Sequence, residues 1–219
     1  MFARLGIVGD VHAEDAALER ALAWLREERA EVVLCVGDVA DGYGDLERCV
    51  ALLEDARALS VRGNHDRWLL ADQMRTLEGA HRVASISERA AAFFSSLPAT
   101  REVPTTRGTL LLCHGVGGDD MQRLQPWDEG YALTSNFALQ ELVLREVPLV
   151  VGGHTHRRMV RAIGATTFVN AGTLLRGHDP CAGVLDLAAG EARFLDLARE
   201  GPAAIERIPL PPVGVSSPG

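Results

Sequence analysis

Apolar positions follow two rhythms along the first half of the chain. "RLGIVGD" (4–10), "EVVLCVGD" (31–38) and "LSVRGNHD" (59–66) are short apolar runs ending at Gly and a polar group, and they read as buried strands. Between them, "EDAALERALAWLREER" (14–29) and "DLERCVALLEDARAL" (45–59) return an apolar residue every three or four positions. In the first of these, Leu18, Ala21, Leu22 and Leu25 share one helical face against a charged one. Strand, helix, strand, helix, strand, with strands apolar on both faces, predicts parallel pairing through right-handed crossovers.

Residues 66–97 are predicted helical, with "ERAAAFFSSL" closing at Pro98. After Thr100 the rhythm shortens to "TLLLCHG", "PLVVGGH", "RMVRAIG", "ATTFVNAG", "CAGVLDLAAG" and "EARFLDL", strands many of which join through Gly turns. "RMVRAIGATTFVNAG" and "AGVLDLAAGEARFLDL" are predicted hairpins, and one helix interrupts the strands at about 133–146. The expectation is an α/β fold of two packed sheets flanked by helices, a single domain over residues 1–200. Residues 116–136 form a long polar connection, a candidate binding loop or lid. Residues 201–219 are Pro-rich and are expected to be an extended, peripheral tail.

Composition narrows the chemistry. All 22 basic residues are Arg, so a Schiff-base lysine, a phosphate-loop lysine and a Ser–Lys dyad are excluded. The net charge of −8 argues against a general nucleic-acid binder, although bound metal ions would still allow an anionic substrate. Cys35, Cys49, Cys113 and Cys181 contain no Cys-x-x-Cys pair and are expected to be buried reduced thiols. A strand that starts almost at the first residue, and no apolar stretch of about 18 residues, point to the cytoplasm and away from a membrane.

The strand ends collect the reactive groups: "GDVH", "GDVA", "GNHD", "CHG" and "GGHTH". Five of the seven histidines lie there, and only His81 and His178 do not. Ligands gather at the carboxyl edge of open α/β sheets, so these five stretches are expected to meet. Asp10 and His12, like His154 and His156, are one residue apart, which in an extended segment points both side chains the same way. Imidazole and carboxylate donors without thiolate suit Mn, Fe, Zn, Co or Ni. Two Asp, one Asn and four His are too many for one ion and enough for two with a bridging carboxylate.

In this order the motifs, Gly9 to His156, resemble the calcineurin-like metallophosphoesterase superfamily. "CVGDVADGYG", "VRGNHD", "LCHG", "GGHTH" and "NAGT" are most similar to small bacterial phosphoesterases of the YfcE type. The resemblance implies a four-layer α/β/β/α sandwich and hydrolysis of a phosphodiester or phosphomonoester by a metal-activated hydroxide. It places Asp10, His12, Asp38 and His156 on a first divalent ion, with manganese foremost. Asp38, Asn64, His114 and His154 fall on a second, and Asp38 bridges. His65, Asn64 and Asp38 would be catalytic, His65 facing the phosphate and the leaving group without holding metal. The stretch after the second strand is one residue longer than in such relatives. Asp41 is read there as plain loop, in preference to an acidic partner of the histidine, and Asp66 as a helix cap. The expected partner is a small phosphate ester, with nucleotides among the candidates, rather than nucleic acid or membrane. Dinucleoside polyphosphate hydrolysis, protein phosphatase action and a non-catalytic protein-binding scaffold of the same fold are the alternatives. Arg67, Arg157, Arg158 and Arg176 are either solvated surface or binders of a second phosphate. Trp127 and Tyr131 either stack on a base or anchor the loop.

Overall fold

The computed structural model describes residues 1–198 and 204–212. Its first part alternates as expected: β1 (Arg4–Val8), α1 (Asp15–Glu27), β2 (Val32–Cys35), α2 (Leu46–Asp55) and β3 (Leu59–Ser60). β1 pairs with β2 and β2 with β3, all parallel. α1 turns Leu18, Ala21, Leu22 and Leu25 inward, joined by Trp24. The Asp45 side chain caps α2 by accepting the Arg48 amide.

The segment predicted to be one helix over 66–97 is two. α3 (Asn64–Leu70) and α4 (Glu88–Ser96) are separated by turns and a short 3-10 stretch, Val83–Ser85. Asp72, Met74 and Gly79 adopt positive φ (51°, 54° and 72°), which breaks helical hydrogen bonding between them. The break sends residues 75–81 back toward the strand ends, where they hold Asp41.

The remaining elements are β4 (Thr100–Thr105), β5 (Gly108–Cys113), α5 (Tyr131–Thr134), α6 (Phe137–Leu144), β6 (Leu149–Gly152), β7 (Met159–Ile163), β8 (Thr166–Asn170), β9 (Cys181–Asp186), β10 (Glu191–Asp196) and β11 (Ile205–Pro209). Two mixed sheets result, ordered β11-β10-β9-β1-β2-β3 and β4-β5-β6-β8-β7. Both predicted hairpins form, β7 with β8 and β9 with β10. Sequence reading missed β4, an edge strand carrying Pro104, a position open to proline because an edge leaves amides unpaired. Within the segment read as a tail, Ile205–Pro209 is the other sheet's edge strand, while 201–203 and 213–219 lie outside the described residues.

Alternation along each strand builds the layers. In β1, Leu5 and Ile7 face the space between the sheets and Val8 faces the helices. Leu110 and Leu112 of β5 and Val151 of β6 meet them from the second sheet, with Phe194 filling the same layer. Cys113 and Val150 point the other way, against Leu139 and Leu142 of α6. Helix, sheet, sheet, helix is therefore the order of the layers. All four cysteines are free and buried, and burial pushes the Cys35 and Cys113 thiols up to about 12.

Candidate metal centre

β1, β2, β5 and β6 all deliver their carboxyl ends to one edge, and none of the following loops continues extended. Asp10 and His12 have φ of 37° and 45°, Asp38 has 47°, and His154 and His156 have 66° and 58°. The expectation that each i, i+2 pair lies along an extended strand is therefore corrected. Five of the seven candidate ligands sit in left-handed turns, which residues with a Cβ occupy at a cost. These turns curl the side chains back over the strand ends. Backbone bonds tie the loops together, His12 N–H and Ala13 N–H donating to the Asp38 and Val39 carbonyls at 2.8 and 2.9 Å.

The side chains converge closely. His12 Nε2 lies 3.2 Å from His156 Nε2, and His156 Nε2 lies 3.8 Å from Asp10 Oδ2. His114 stands between the two carboxylates, its Nδ1 3.5 Å from Asp10 and its Nε2 3.2 Å from Asp38. Asn64 Oδ1 is 3.0 Å from the same Nε2. Donor atoms of Asp38, His114 and His154 lie within 4.8 Å of one another, as do those of Asp38, His12 and His65. Asp10, His12, Asp38, Asn64 and His114 are buried, while His154 and His156 are half-buried at the mouth.

Hydrogen bonds to carbonyls orient two of the rings. His114 Nδ1 donates to the Val36 carbonyl at 2.8 Å, and His12 Nδ1 donates to the Asp41 carbonyl at 2.9 Å. Each Nε2 thereby faces the cluster, the arrangement that outer partners give metal-binding imidazoles. Burial and the neighbouring His114 push His154 down to about 4, and burial with His12 pushes His156 down to about 3. Both rings are neutral at pH 7 and fit to ligate. Burial raises Asp10 to about 7, helped by Asp38 and opposed by His114. Burial disfavours charge on Asp38 as well, but His114, His65 and His12 hold it well below the usual carboxylate range. Burial would lower His114, yet Asp38 and Asp10 push it up to about 10.

This donor set fits divalent ions. Asp10 Oδ2 is buried without a hydrogen-bond partner, and two imidazole Nε2 atoms face each other beside it. A buried carboxylate oxygen without a hydrogen-bond partner, beside imidazole nitrogens, is donor chemistry that a divalent cation satisfies.

One reading is overturned at Asp41. It is buried, and its Oδ2 accepts from His65 Nδ1 at 2.8 Å, so it is the histidine's acidic partner and not plain loop. Arg75 grips both Asp41 oxygens at 2.8 and 2.9 Å, and the His81 amide adds a third bond at 2.9 Å. Burial opposes charge on His65, but Asp41 and Asp38 outweigh it and raise its pKa. Asp66 caps as expected: Oδ2 takes the Gly63 amide at 2.9 Å and Oδ1 the Val39 and Ala40 amides at 2.8 and 3.0 Å. Asp38 Oδ1 in turn accepts the His65 amide at 2.8 Å, in the first turn of α3.

Several supporting residues escaped the sequence reading. Asn170 Nδ2 donates to the Gly153 carbonyl at 2.6 Å and to Thr155 Oγ1 at 3.0 Å, fixing the "GGHTH" turn. Thr173 Oγ1 donates to the Asp10 carbonyl at 2.8 Å. Arg123 Nε donates to His154 Nε2 at 3.4 Å from the long loop. The "NAGT" motif was the available signal for Asn170 and Thr173; nothing periodic marks Arg75, His81 or Arg123. Three of the four arginines at motif ends are engaged by acids: Arg67 with Asp120, Arg158 with Glu206 and Arg176 with Glu14.

Residues 3–190 match the model of the calcineurin-like phosphoesterase superfamily domain. A 70-residue stretch is 33% identical to an uncharacterized protein of Methanocaldococcus jannaschii, covering 32% of this chain and only 28% of that relative. Among solved structures, a metallophosphoesterase from Sphaerobacter thermophilus is 21% identical with a TM-score of 0.63, over 89% of this chain and 87% of that one. The phosphoesterase YfcE from E. coli is 20% identical with a TM-score of 0.58, over 95% and 100%. Vps29 from Entamoeba histolytica is 18% identical with a TM-score of 0.59, over 95% and 99%. These likenesses establish a shared fold.

Proposed function

Given that the chain belongs to the calcineurin-like phosphoesterase superfamily, we propose that it hydrolyses a small phosphodiester or phosphomonoester at a centre of two divalent ions, manganese foremost. Asp10, His12, Asp38 and His156 would hold one ion. Asp38, Asn64, His114 and His154 would hold the other, with Asp38 shared. Bound there, the ions supply Lewis-acid charge to the phosphate oxygens and an activated water at neutral pH. The observation that carries this reading is the orphaned Asp10 Oδ2 beside the facing Nε2 atoms of His12 and His156.

The chain's own groups do the rest. Asn64 offers an amide to a non-bridging oxygen, since its Nδ2 hydrogens remain when Oδ1 ligates. Asp41 fixes the His65 ring through Nδ1 and favours its charged form, leaving a proton on Nε2 for the leaving oxygen. The Arg75 clamp keeps Asp41 ionised and in place.

Asp38→Asn is expected to abolish turnover of bis-p-nitrophenyl phosphate and to reduce bound metal. His65→Ala should lose about 10²–10⁴ in kcat and keep both ions. Elemental analysis beside a matrix of metals against monoester, diester, 2′,3′-cyclic nucleotide and dinucleoside polyphosphate checks both. A wild-type chain that binds no metal and turns over none of these substrates would instead support a scaffold role.

A further inference from the structure

Beside His156 an open cleft of about 250 Å³ is lined by Pro126, Trp127, Arg157, Asp179 and the Arg158–Glu206 ion pair. Trp127 lies in the long connection between β5 and α6, and 61% of it is exposed. The loop is nevertheless pinned. Arg161 of β7 donates to the carbonyls of Gln125, Pro126 and Asp128 at 3.2, 3.2 and 2.5 Å. The Gln125 amide donates to Asp128 Oδ2 at 2.8 Å, and Asn136 Nδ2 donates to the Arg123 carbonyl at 3.0 Å. Arg161 therefore anchors the loop, and the Trp127 indole is not needed for that purpose. The held backbone leaves Trp127 largely exposed where it lines the cleft.

Arg157 supplies the second feature. Its guanidinium carbon lies 5.2 Å from the Trp127 ring centroid, so it rests on the indole. Arg67, Arg158 and Arg176 are engaged by carboxylates, whereas Arg157 has no carboxylate partner among the described residues. An aromatic face and an uncommitted cation thus adjoin the residue that ends the metal cluster, and the exposed Asp179 carboxylate adds an acceptor for hydroxyls. These groups suit a planar base, an anionic phosphate oxygen and a sugar in turn.

We propose that this cleft selects nucleotide esters. Trp127 stacks the base, Arg157 faces a phosphate oxygen and Asp179 accepts from the sugar. The inference rests on the phosphoesterase reading for the position of the reacting phosphate. The chain's charge of −8 and the size of the cleft favour a single nucleotide unit over a long nucleic acid.

The test is calorimetric binding to the manganese-loaded protein of two hydrolysis-resistant 5′-phosphonates, one of adenosine and one of ribose. The adenosine compound is expected to bind about tenfold tighter to the wild type, with the two within about twofold in Trp127→Ala and most of the preference kept in Trp127→Phe. Equal binding in the wild type, or an unchanged preference in Trp127→Ala, overturns the proposal. Turnover of bis-p-nitrophenyl phosphate, followed in parallel, reads the reaction separately. Turnover without base preference removes the cleft proposal alone. A preference lost in Trp127→Ala without any turnover keeps the cleft and removes the reaction.

Discussion

Three groups converge on the Asp41 carboxylate: the Arg75 guanidinium fork, the His81 amide and the His65 ring. Asp41→Asn preserves its shape but cannot accept from the fork and the imidazole together, because one of its heads becomes a donor. The expected result is a kcat lowered by about 10–10²-fold with metal content unchanged. Steady-state kinetics and elemental analysis on the same sample check it. The identities of the candidate ligands were legible, because each follows an apolar run and the types repeat in a ligand-like order. Asp41's role was not. Its partners Arg75 and His81 lie in an aperiodic segment, and adjacency to them exists only once that segment folds back.

At the level of elements, a glycine lets α3 meet β2. A Cβ on Gly63 would lie 2.1 Å from Asp38 Oδ1 and 2.5 Å from Asp38 N, and backbone cannot retreat as a flexible side chain does. Gly63→Ala should therefore cost about 1–3 kcal/mol and weaken metal binding as Asp38 is displaced. Urea unfolding and a metal titration would measure the two effects; full stability with native metal affinity would contradict the close approach. Helical and strand rhythms predicted α1, α2 and both hairpins from periodicity alone. They overran at 71–87 because Ala, Leu and Met there suit a helix locally, while the positive φ of Asp72, Met74 and Gly79 serves a tertiary contact. β4 and β11 gave weak signals because edge strands, half in solvent, carry mixed residues and proline.

Across the whole molecule, the cluster joins loops from both sheets: Asp10, His12, Asp38 and Asn64 follow strands of one, His114, His154 and His156 strands of the other. Ions bound there would tie the halves together, and in the native state only. Loss of two ions to a chelator is expected to lower Tm by about 10–20 °C from its value at ion concentrations near 100 times Kd. Calorimetry with and without chelator measures it, and an unchanged Tm would show that no ion bridges the sheets. No helix among the described residues is long and apolar enough to cross a membrane. The apolar rhythm was enough to specify two layers of strands between helices, since burial of a face is written locally, residue by residue. The donor chemistry was equally local, because carboxylate and imidazole keep their character wherever they are placed. Which atoms meet was decided only by folding. Left-handed turns at Asp10, Asp38 and His154 aim the side chains; Thr173 holds the first, Asn170 the third, and Arg75 fixes Asp41, all from sites distant along the chain. Such contacts form between segments with no shared period, so only the packed sheets bring them within bonding distance.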